Sequence, residues 1–476
     1  MPINNFLLPG AKVTTAYSVA NSCRFNDDDS AYMHKTCSSA FDTDRFTISV
    51  WCKRGALGIE TRLVSCDDAD GSDDDFLKFD ANDNIEFTIY GSSSIVGRLI
   101  TNAKYRDVSA WMNIVAVWDS ANGTAGNRMR LYVNGTEVTS FSTDTNPSSG
   151  ANATFGNTSH PIEIGRRGSN GTQYFDGYIA EVAVCDGQAY AASDFGEFDE
   201  DSPTIWKPKD VSGLTFGTSG FYLDFEDSGN LGNDKNGGTD LTEVNLAATD
   251  QSSDSPTNNF CVMNSIASQA GSNASNDVIT FAEGNLDLSA ISSESAVGTI
   301  GVAAGKWYWE VKVITTQDGI IIGGANQHFH LDAELGYESP SSATGAKIFG
   351  YYGSNGNSFI AVGDGTSQSY GSAINSNNNI IGVALDVDSA DQTCTFYLNG
   401  TSQGSLDITN LGTGEYYFPA CGNWSASNCA FSFNFGNPTF SISSGNSDGN
   451  GYGNFEYAVP SGYYALCTQN LAKYGG

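Results

Sequence analysis

Six aspartates crowd into nine residues of DDADGSDDD, positions 67–75: Asp67, Asp68, Asp70, Asp73, Asp74 and Asp75. Hard divalent cations take roughly six to eight oxygen ligands, and carboxylates clustered about a turn glycine can supply them. The run lacks the downstream glutamate of an EF-hand loop, so a merely solvated acidic loop is the alternative reading. A second cluster, HFHLDAE at 328–334, sets His328 and His330 on one face of an extended segment, with Asp332 and Glu334 continuing it. Alternate imidazoles beside a carboxylate can ligate a transition metal; a polar strand edge or loop is the alternative. The metal candidates are therefore Asp67, Asp68, Asp70, Asp73, Asp75, His328 and His330.

Hydrolysis of a glycosidic bond needs two carboxyl groups roughly 5–10 Å apart across a cleft. No closely spaced acidic run lies within an aromatic strand. Glu181 in YIAEVAV and Glu310 in WYWEVKV each stand alone and read as outward-facing polar positions. No GxSxG elbow, Ser-His-Asp set or phosphate-cradling glycine motif occurs in a suitable context. Sugar recognition asks for less: aromatic faces for stacking beside hydrogen-bonding side chains. Tyr174 after GSNGTQ, Tyr351 and Tyr352 in GYYGSNGN, and Trp424 in CGNWSAS are the candidates. Ordinary packing is the competing reading for each.

These residues must be held by elements that the composition already constrains. The chain has 476 residues, 54 glycines and only 22 lysines and arginines, a mixture suited to short strands and polar turns. That length exceeds one core and implies more than one domain. The formal charge of −32 repels phosphate backbones and anionic lipid, which disfavours nucleic-acid and membrane partners. The opening residues lack a basic n-region and read as no secretory signal. No stretch reaches the length of a membrane span. Ten cysteines, none in a CxxC pair, read as buried free thiols, with Cys421 and Cys429 the pair to examine for a disulfide.

Period-two patterning recurs along both halves. In DRFTISVWCKR, Phe46, Ile48, Val50 and Cys52 face one way and Arg45, Thr47, Ser49 and Lys53 the other, while WMNIVAVWDS is apolar on both faces, as in a central strand. KWYWEVKV, IIGVALDVD and CAFSFNFG repeat the pattern in the second half. LYVNG at 131–135 returns as FYLNG at 396–400, and Asn-Gly is a strong hairpin signal. The fold class is all-β, with two antiparallel jelly-roll sandwiches. Residues 1–20 read as an arm, 21–225 as the first sandwich, 226–265 as a polar bridge and 266–476 as the second sandwich. The low-apolar stretch 441–454 reads as an extended surface loop.

The order LYVNGTEV, IEIGRR, YFDGYIAEVAVCDGQ resembles the laminin-G-like or concanavalin-A-like family. Sandwiches of that family commonly hold calcium in edge loops, so calcium is the cation this resemblance implies for 67–75; no cofactor is otherwise required. GKWYWEVKV, IIGVALDVD, CTFYLNG, YYFPACG and FNFGNPTF resemble the SPRY family, which binds partners through loops at one rim. The combination, with NSCRFNDDDSAYM, WKPK, DSPTNNF and VPSGYYALCTQNL, resembles virion proteins of tailed bacteriophages, especially marine ones, of the tail-fibre or structural type. That resemblance implies a non-catalytic protein of the virion surface, assembled in the host cytoplasm. Its partners would be other virion proteins and host-surface polysaccharide, and a homo-oligomer, with a trimer as the first guess, is the expected state. A capsid decoration protein without glycan binding, and a polysaccharide-degrading enzyme, are the alternatives.

Overall fold

A computed structural model describes residues 17–270, 279–329, 346–353, 357–362, 366–388 and 390–475. Most of the expected N-terminal arm and His330, Asp332 and Glu334 of the histidine cluster lie outside the described residues. The chain divides between Thr257 and Asn258 into two compact units, both built of antiparallel sheets.

In the first unit, one sheet runs from edge to edge through Thr136–Glu137, Met129–Val133, Met112–Asp119, Arg45–Arg54, Gly177–Asp186, Ser22–Phe25 and Gln251–Ser252. Phe221–Leu223 also pairs with Gly177–Asp186. The facing sheet runs through Phe141–Thr145, Ile95–Thr101, Ile85–Tyr90, Asp74–Phe79, Thr61–Asp67, Ile162–Ile164, Tyr32–Lys35 and Thr242–Val244. Phe46, Ile48, Val50 and Cys52 face inward, as their alternation requires, and pack with Phe87, Ile114, Trp118 and Ile179. The opposite face of the first sheet is covered as well. Val115, Val117, Ala183 and Cys185 pack beneath Ala192, Phe195, Val211, Phe216 and Tyr222. This outer layer explains why WMNIVAVWDS is apolar on both faces.

The segment expected as a polar bridge, 226–265, is woven into structure. Thr242–Val244 pairs with Tyr32–Lys35 in one sheet, and Gln251–Ser252 pairs with Ser22–Phe25 in the other. Its polar side chains bond inward: Asp254 accepts from Lys53 Nζ at 2.8 Å and from Trp111 Nε1 at 2.8 Å, and Ser255 Oγ donates to the Val19 carbonyl at 2.7 Å. Low apolar content does not imply a free loop when each polar group finds a fixed partner.

The second unit has the same plan. One sheet orders Met263–Ala270, Glu294–Gly298, Tyr417–Asn423, Ile320–Asn326, Lys347–Tyr352, Asn357–Val362 and Thr366–Ser369. The other orders Thr280–Ala282, Asp287–Ile291, Cys429–Asn434, Lys306–Thr315, Ile380–Asp386, Thr393–Leu398 and Thr401–Asp407. Tyr464–Ala465 adds a short parallel pairing to Lys306–Thr315, and a helix of seven residues, Thr468–Tyr474, follows it. Here too an outer layer forms, with Tyr308 and Ala384 packed under Phe260, Phe455, Ala465 and Cys467. The stretch 441–454, expected as an extended surface loop, is anchored within this layer. Buried Asp448 accepts from the Ala465 N–H at 2.9 Å and from Asn470 Nδ2 at 2.7 Å. All ten cysteines are buried free thiols, Cys421 and Cys429 included.

Candidate functional site

The acidic loop splits into strand residues bonded away from the turn and residues that stay in the turn. Asp67 and Asp74 face each other at the mouth of the hairpin between Thr61–Asp67 and Asp74–Phe79. Asp67 accepts the N–H groups of Gly168 at 3.1 Å and Ser169 at 2.5 Å, and Asp74 takes the Arg62 guanidinium through both oxygens at 2.9 and 3.0 Å. Asp75 is fully buried and accepts from the Tyr90 N–H and the Thr154 hydroxyl, while burial pushes its carboxyl well up. The expectation of one cation loop is thereby corrected for Asp67 and Asp75. They are strand residues bonded in separate directions, and strand pairing alternates where their side chains point.

Asp68, Asp70 and Asp73 remain in the loop. Gly71, at φ +72°, lets the chain fold back so that the Gly71 N–H reaches the Asp68 carbonyl. Asp68 then accepts the Ser72 N–H at 2.8 Å and its hydroxyl at 2.6 Å. Partial desolvation opposes the effect, but these Ser72 bonds and the Asp73 N–H hold the Asp68 carboxyl below its ordinary range. Exposed Asp70 accepts the Ser72 N–H at 3.0 Å. Beside the loop stands His160, which the spacing of the sequence did not connect to it. Ligand atoms of Asp68, Asp73 and His160 lie within 4.8 Å of one another.

Of the other metal candidate, only His328 and Phe329 of HFHLDAE lie among the described residues. His328 is exposed, and its Nε2 lies 3.6 Å from Glu415, whose carboxylate also pairs with Lys347 at 3.1 Å.

Of the aromatic candidates, two come together. Tyr352 ends the strand Lys347–Tyr352, and Trp424 follows the strand Tyr417–Asn423; both flank Ile320–Asn326, with Ile321 opposite Tyr352 and Gly422. Their rings stack at 5.9 Å with 22° between planes, and Trp424 is 38% exposed. The platform is set by a buried side chain. Asn423 donates to the carbonyls of Ile291 at 2.9 Å and Ser427 at 2.7 Å and accepts the Ser425 N–H at 3.0 Å, which fixes the turn that carries Trp424. Tyr351, one residue away, points to the opposite face of its strand. It is fully buried against Tyr370 and Phe396, with its hydroxyl on the Ser372 carbonyl, so its reading as a loop aromatic open to ligand is corrected. Tyr174 is half-buried beside Tyr32 and Arg166.

A further aromatic hollow, of about 360 Å³, lies on the outer layer of the first unit, lined by Tyr132, Ser193, Glu197, Phe198, Trp206 and Lys209. Its volume is at the lower end of the range for small-ligand pockets. Phe198 is 44% exposed and meets Trp206 edge to face at 4.9 Å. The tryptophan of WKPK was the visible signal, but nothing in the spacing joined it to Tyr132.

Both isolated glutamates are buried, contrary to the outward reading. Glu181 sits at φ +49° in a bulge of Gly177–Asp186 and accepts the hydroxyls of Tyr222 at 2.7 Å and Tyr17 at 2.9 Å. Burial pushes its carboxyl up to about 7. Glu310 is fully buried; it accepts the N–H groups of Glu456 at 2.9 Å and Tyr457 at 2.8 Å, the Tyr308 hydroxyl and Asn434 Nδ2. Each points away from the inter-sheet core, Glu310 by alternation and Glu181 through the bulge that sets both Ile179 and Val182 inward, but the added layer covers it.

Comparison with known proteins bears on both halves. Residues 26–192 match the Laminin_G_3 family model, the concanavalin A-like lectin/glucanases superfamily, and residues 306–438 match the SPRY domain model. No curated protein sequence matches. Among solved structures, the SPRY domain of human HERC1 is 14% identical, with 36% of this chain covering 96% of that one at a TM-score of 0.27. Domains LG4-5 of the mouse laminin alpha1 chain are 9% identical, with 90% of this chain and 92% of that one aligned at a TM-score of 0.28. The SAP-like pentraxin of Limulus polyphemus is 13% identical over 38% of this chain and 75% of that one, at a TM-score of 0.25. The chain carries a concanavalin A-like domain of the lectin/glucanase superfamily followed by a SPRY domain.

Proposed function

We propose that the chain is a glycan-recognising protein of the virion surface, binding without catalysis. The observation that carries recognition is the stacked Tyr352–Trp424 pair, a partly exposed aromatic platform fixed by the buried Asn423. A sugar ring presents an apolar face of C–H groups to such a platform and directs its hydroxyls to surrounding polar atoms. The hollow at Phe198 and Trp206, with Glu197 and Lys209 at its wall, offers a second aromatic surface of the same chemistry. Two domains of families that serve mainly in binding support a recognition module over an enzyme. The virion assignment rests on the motif order that resembles tailed-phage structural proteins, and host-surface polysaccharide is the ligand class it implies.

A second reading, a capsid decoration protein whose partners are other virion subunits, rests on the same motif order. The purified chain, applied to an array of bacterial surface polysaccharides with release of reducing sugar followed in parallel, separates these readings. Saturable binding without sugar release supports the proposal. Release of sugar supports an enzyme, and silence across the array supports decoration.

A further inference from the structure

We propose that Asp68, Asp73 and His160 form a site for a divalent first-row transition-metal ion, zinc in the first place. The site is independent of the glycan reading, and it differs from a calcium loop in having a nitrogen donor.

Two separately constrained segments build it. Asp68 and Asp73 close the hairpin loop, where the Asp68 N–H bonds the Asp73 carbonyl at 3.1 Å. His160 arrives from FGNTSHP: Asn157 Oδ1 takes the Ser159 N–H at 3.0 Å, and the His160 N–H donates to the Asn157 carbonyl at 3.0 Å. Pro161 then holds the backbone of His160 extended into the strand Ile162–Ile164. The Cys66 thiol on the His160 carbonyl, at 3.6 Å, ties this turn to the sheet that bears the acidic hairpin.

The imidazole is the independent sign of a ligand. His160 is only 8% exposed, its Nδ1 is buried and has no hydrogen-bond partner among the described residues, and one of its ring nitrogens lies within 4.8 Å of a carboxylate oxygen of each aspartate. A buried ring nitrogen left unpaired is unfavourable, and an imidazole held beside two carboxylates can ligate a metal through either ring nitrogen. The carboxylates have capacity to spare. Asp73 Oδ1 accepts the Ser93 N–H at 2.6 Å, and among the described residues its Oδ2 accepts no hydrogen bond. The two aspartates repel each other across the site, and a dication between them would reverse the sign of that interaction.

Donor type and spacing select the ion. Calcium takes oxygen ligands, whereas imidazole with carboxylate suits zinc and its neighbours. Ligand atoms around one tetrahedral zinc stand about 3.4 Å apart. Closing the present 4.8 Å envelope therefore asks for a shift of about 1.5 Å at most, on a loop whose Asp68 and Asp73 are only half-buried. Three protein ligands leave a position for water or for an oxygen of a bound ligand.

The test is calorimetric titration of the full chain, freed of metal by chelation, with zinc chloride and separately with calcium chloride. Wild type and the His160→Ala and Asp73→Asn variants are compared, with circular dichroism to establish folding. One equivalent of zinc is expected in the wild type. Loss of a direct ligand should weaken binding by more than the roughly 10–100-fold that loss of an outer-shell partner costs. Calcium is expected to give no heat that depends on His160. His160→Ala keeps all ten thiols and the other three histidines, so undiminished zinc binding in that variant would overturn the site, as would absence of zinc binding by the wild type. Should His160→Ala fail to fold, Asp73→Asn and the visible spectrum of the cobalt-loaded wild type decide. A spectrum of six oxygen donors, or zinc binding unchanged in Asp73→Asn, refutes the assignment.

Discussion

Glu181 combines a left-handed backbone with a buried carboxyl, two unfavourable features held in place by the hydroxyls of Tyr17 and Tyr222. Burial raises its pKa from 4.5 to about 7, chiefly by desolvation. Between those values the folded protein keeps a proton that the unfolded chain gives up, so stability falls as pH rises through this window. The size is on the order of 3 kcal/mol, from about 1.4 kcal/mol for each pH unit. Denaturant unfolding at pH 4.5 and pH 7.5 should therefore show wild type losing that much relative to Glu181→Gln, which has no carboxyl to ionise. Parallel behaviour of the two proteins would mean that the carboxyl is ionised in the fold. The sequence placed Glu181 on the side of its strand away from the inter-sheet core, and that side is right. Its burial was not legible, because the covering residues Phe216 and Tyr222 come from a segment more than thirty positions later. His160 was missed for a similar reason: it stands some ninety residues from the acidic loop, and only the sheet brings them together.

The two Asn-Gly turns match in detail. Asn134 and Gly135 adopt φ +47° and +72°, and Asn399 and Gly400 adopt +48° and +76°, the pair of positive values that a type I′ turn demands. Each asparagine closes the ladder with the neighbouring strand twice. The Asn134 N–H donates to the Asn113 carbonyl at 2.9 Å while its Oδ1 accepts the Asn113 N–H at 2.8 Å; Asn399 does the same with Ile380 at the same distances. Each glycine also lies under an aromatic ring, Trp206 over Gly135 and Tyr457 over Gly400, and an added Cβ would fall within 2.2 and 2.5 Å of them. The hairpins were legible from the dipeptides; the rings above them were not, since both come from the outer layers. Gly135→Ala should destabilise the protein by about 2 kcal/mol or more, from the left-handed backbone and the clash together. Gly123→Ala, where a Cβ meets nothing within 4 Å, should stay within about 0.5 kcal/mol of wild type. Equal effects on the denaturation midpoint would contradict this account of the turn.

At the scale of the molecule, alternation and turns made the all-β sandwiches legible, and the two domain families agree with them. The segments that read as bridge and surface loop were misjudged because they are polar yet bonded, Asp254 and Asp448 being their anchors. The thiols offer a further whole-chain check. Desolvation raises Cys37 to about 11 and Cys52 to about 12, so both are unreactive at neutral pH by access and by charge. A thiol reagent should label almost none of the ten cysteines in the native protein and all ten in denaturant without reductant. A shortfall in denaturant would reveal disulfides. The central claim, glycan recognition on an aromatic platform, is tested most directly by titrating wild type, Trp424→Ala and Phe198→Ala with the polysaccharide that the array selects. Truncating an anchoring aromatic costs about 2 kcal/mol or more, so the account predicts at least a roughly thirtyfold loss of affinity in Trp424→Ala, with the fold intact by circular dichroism. Full affinity in Trp424→Ala would contradict the platform, with a loss confined to Phe198→Ala moving the site to the first unit and full affinity in both variants placing it on neither aromatic surface.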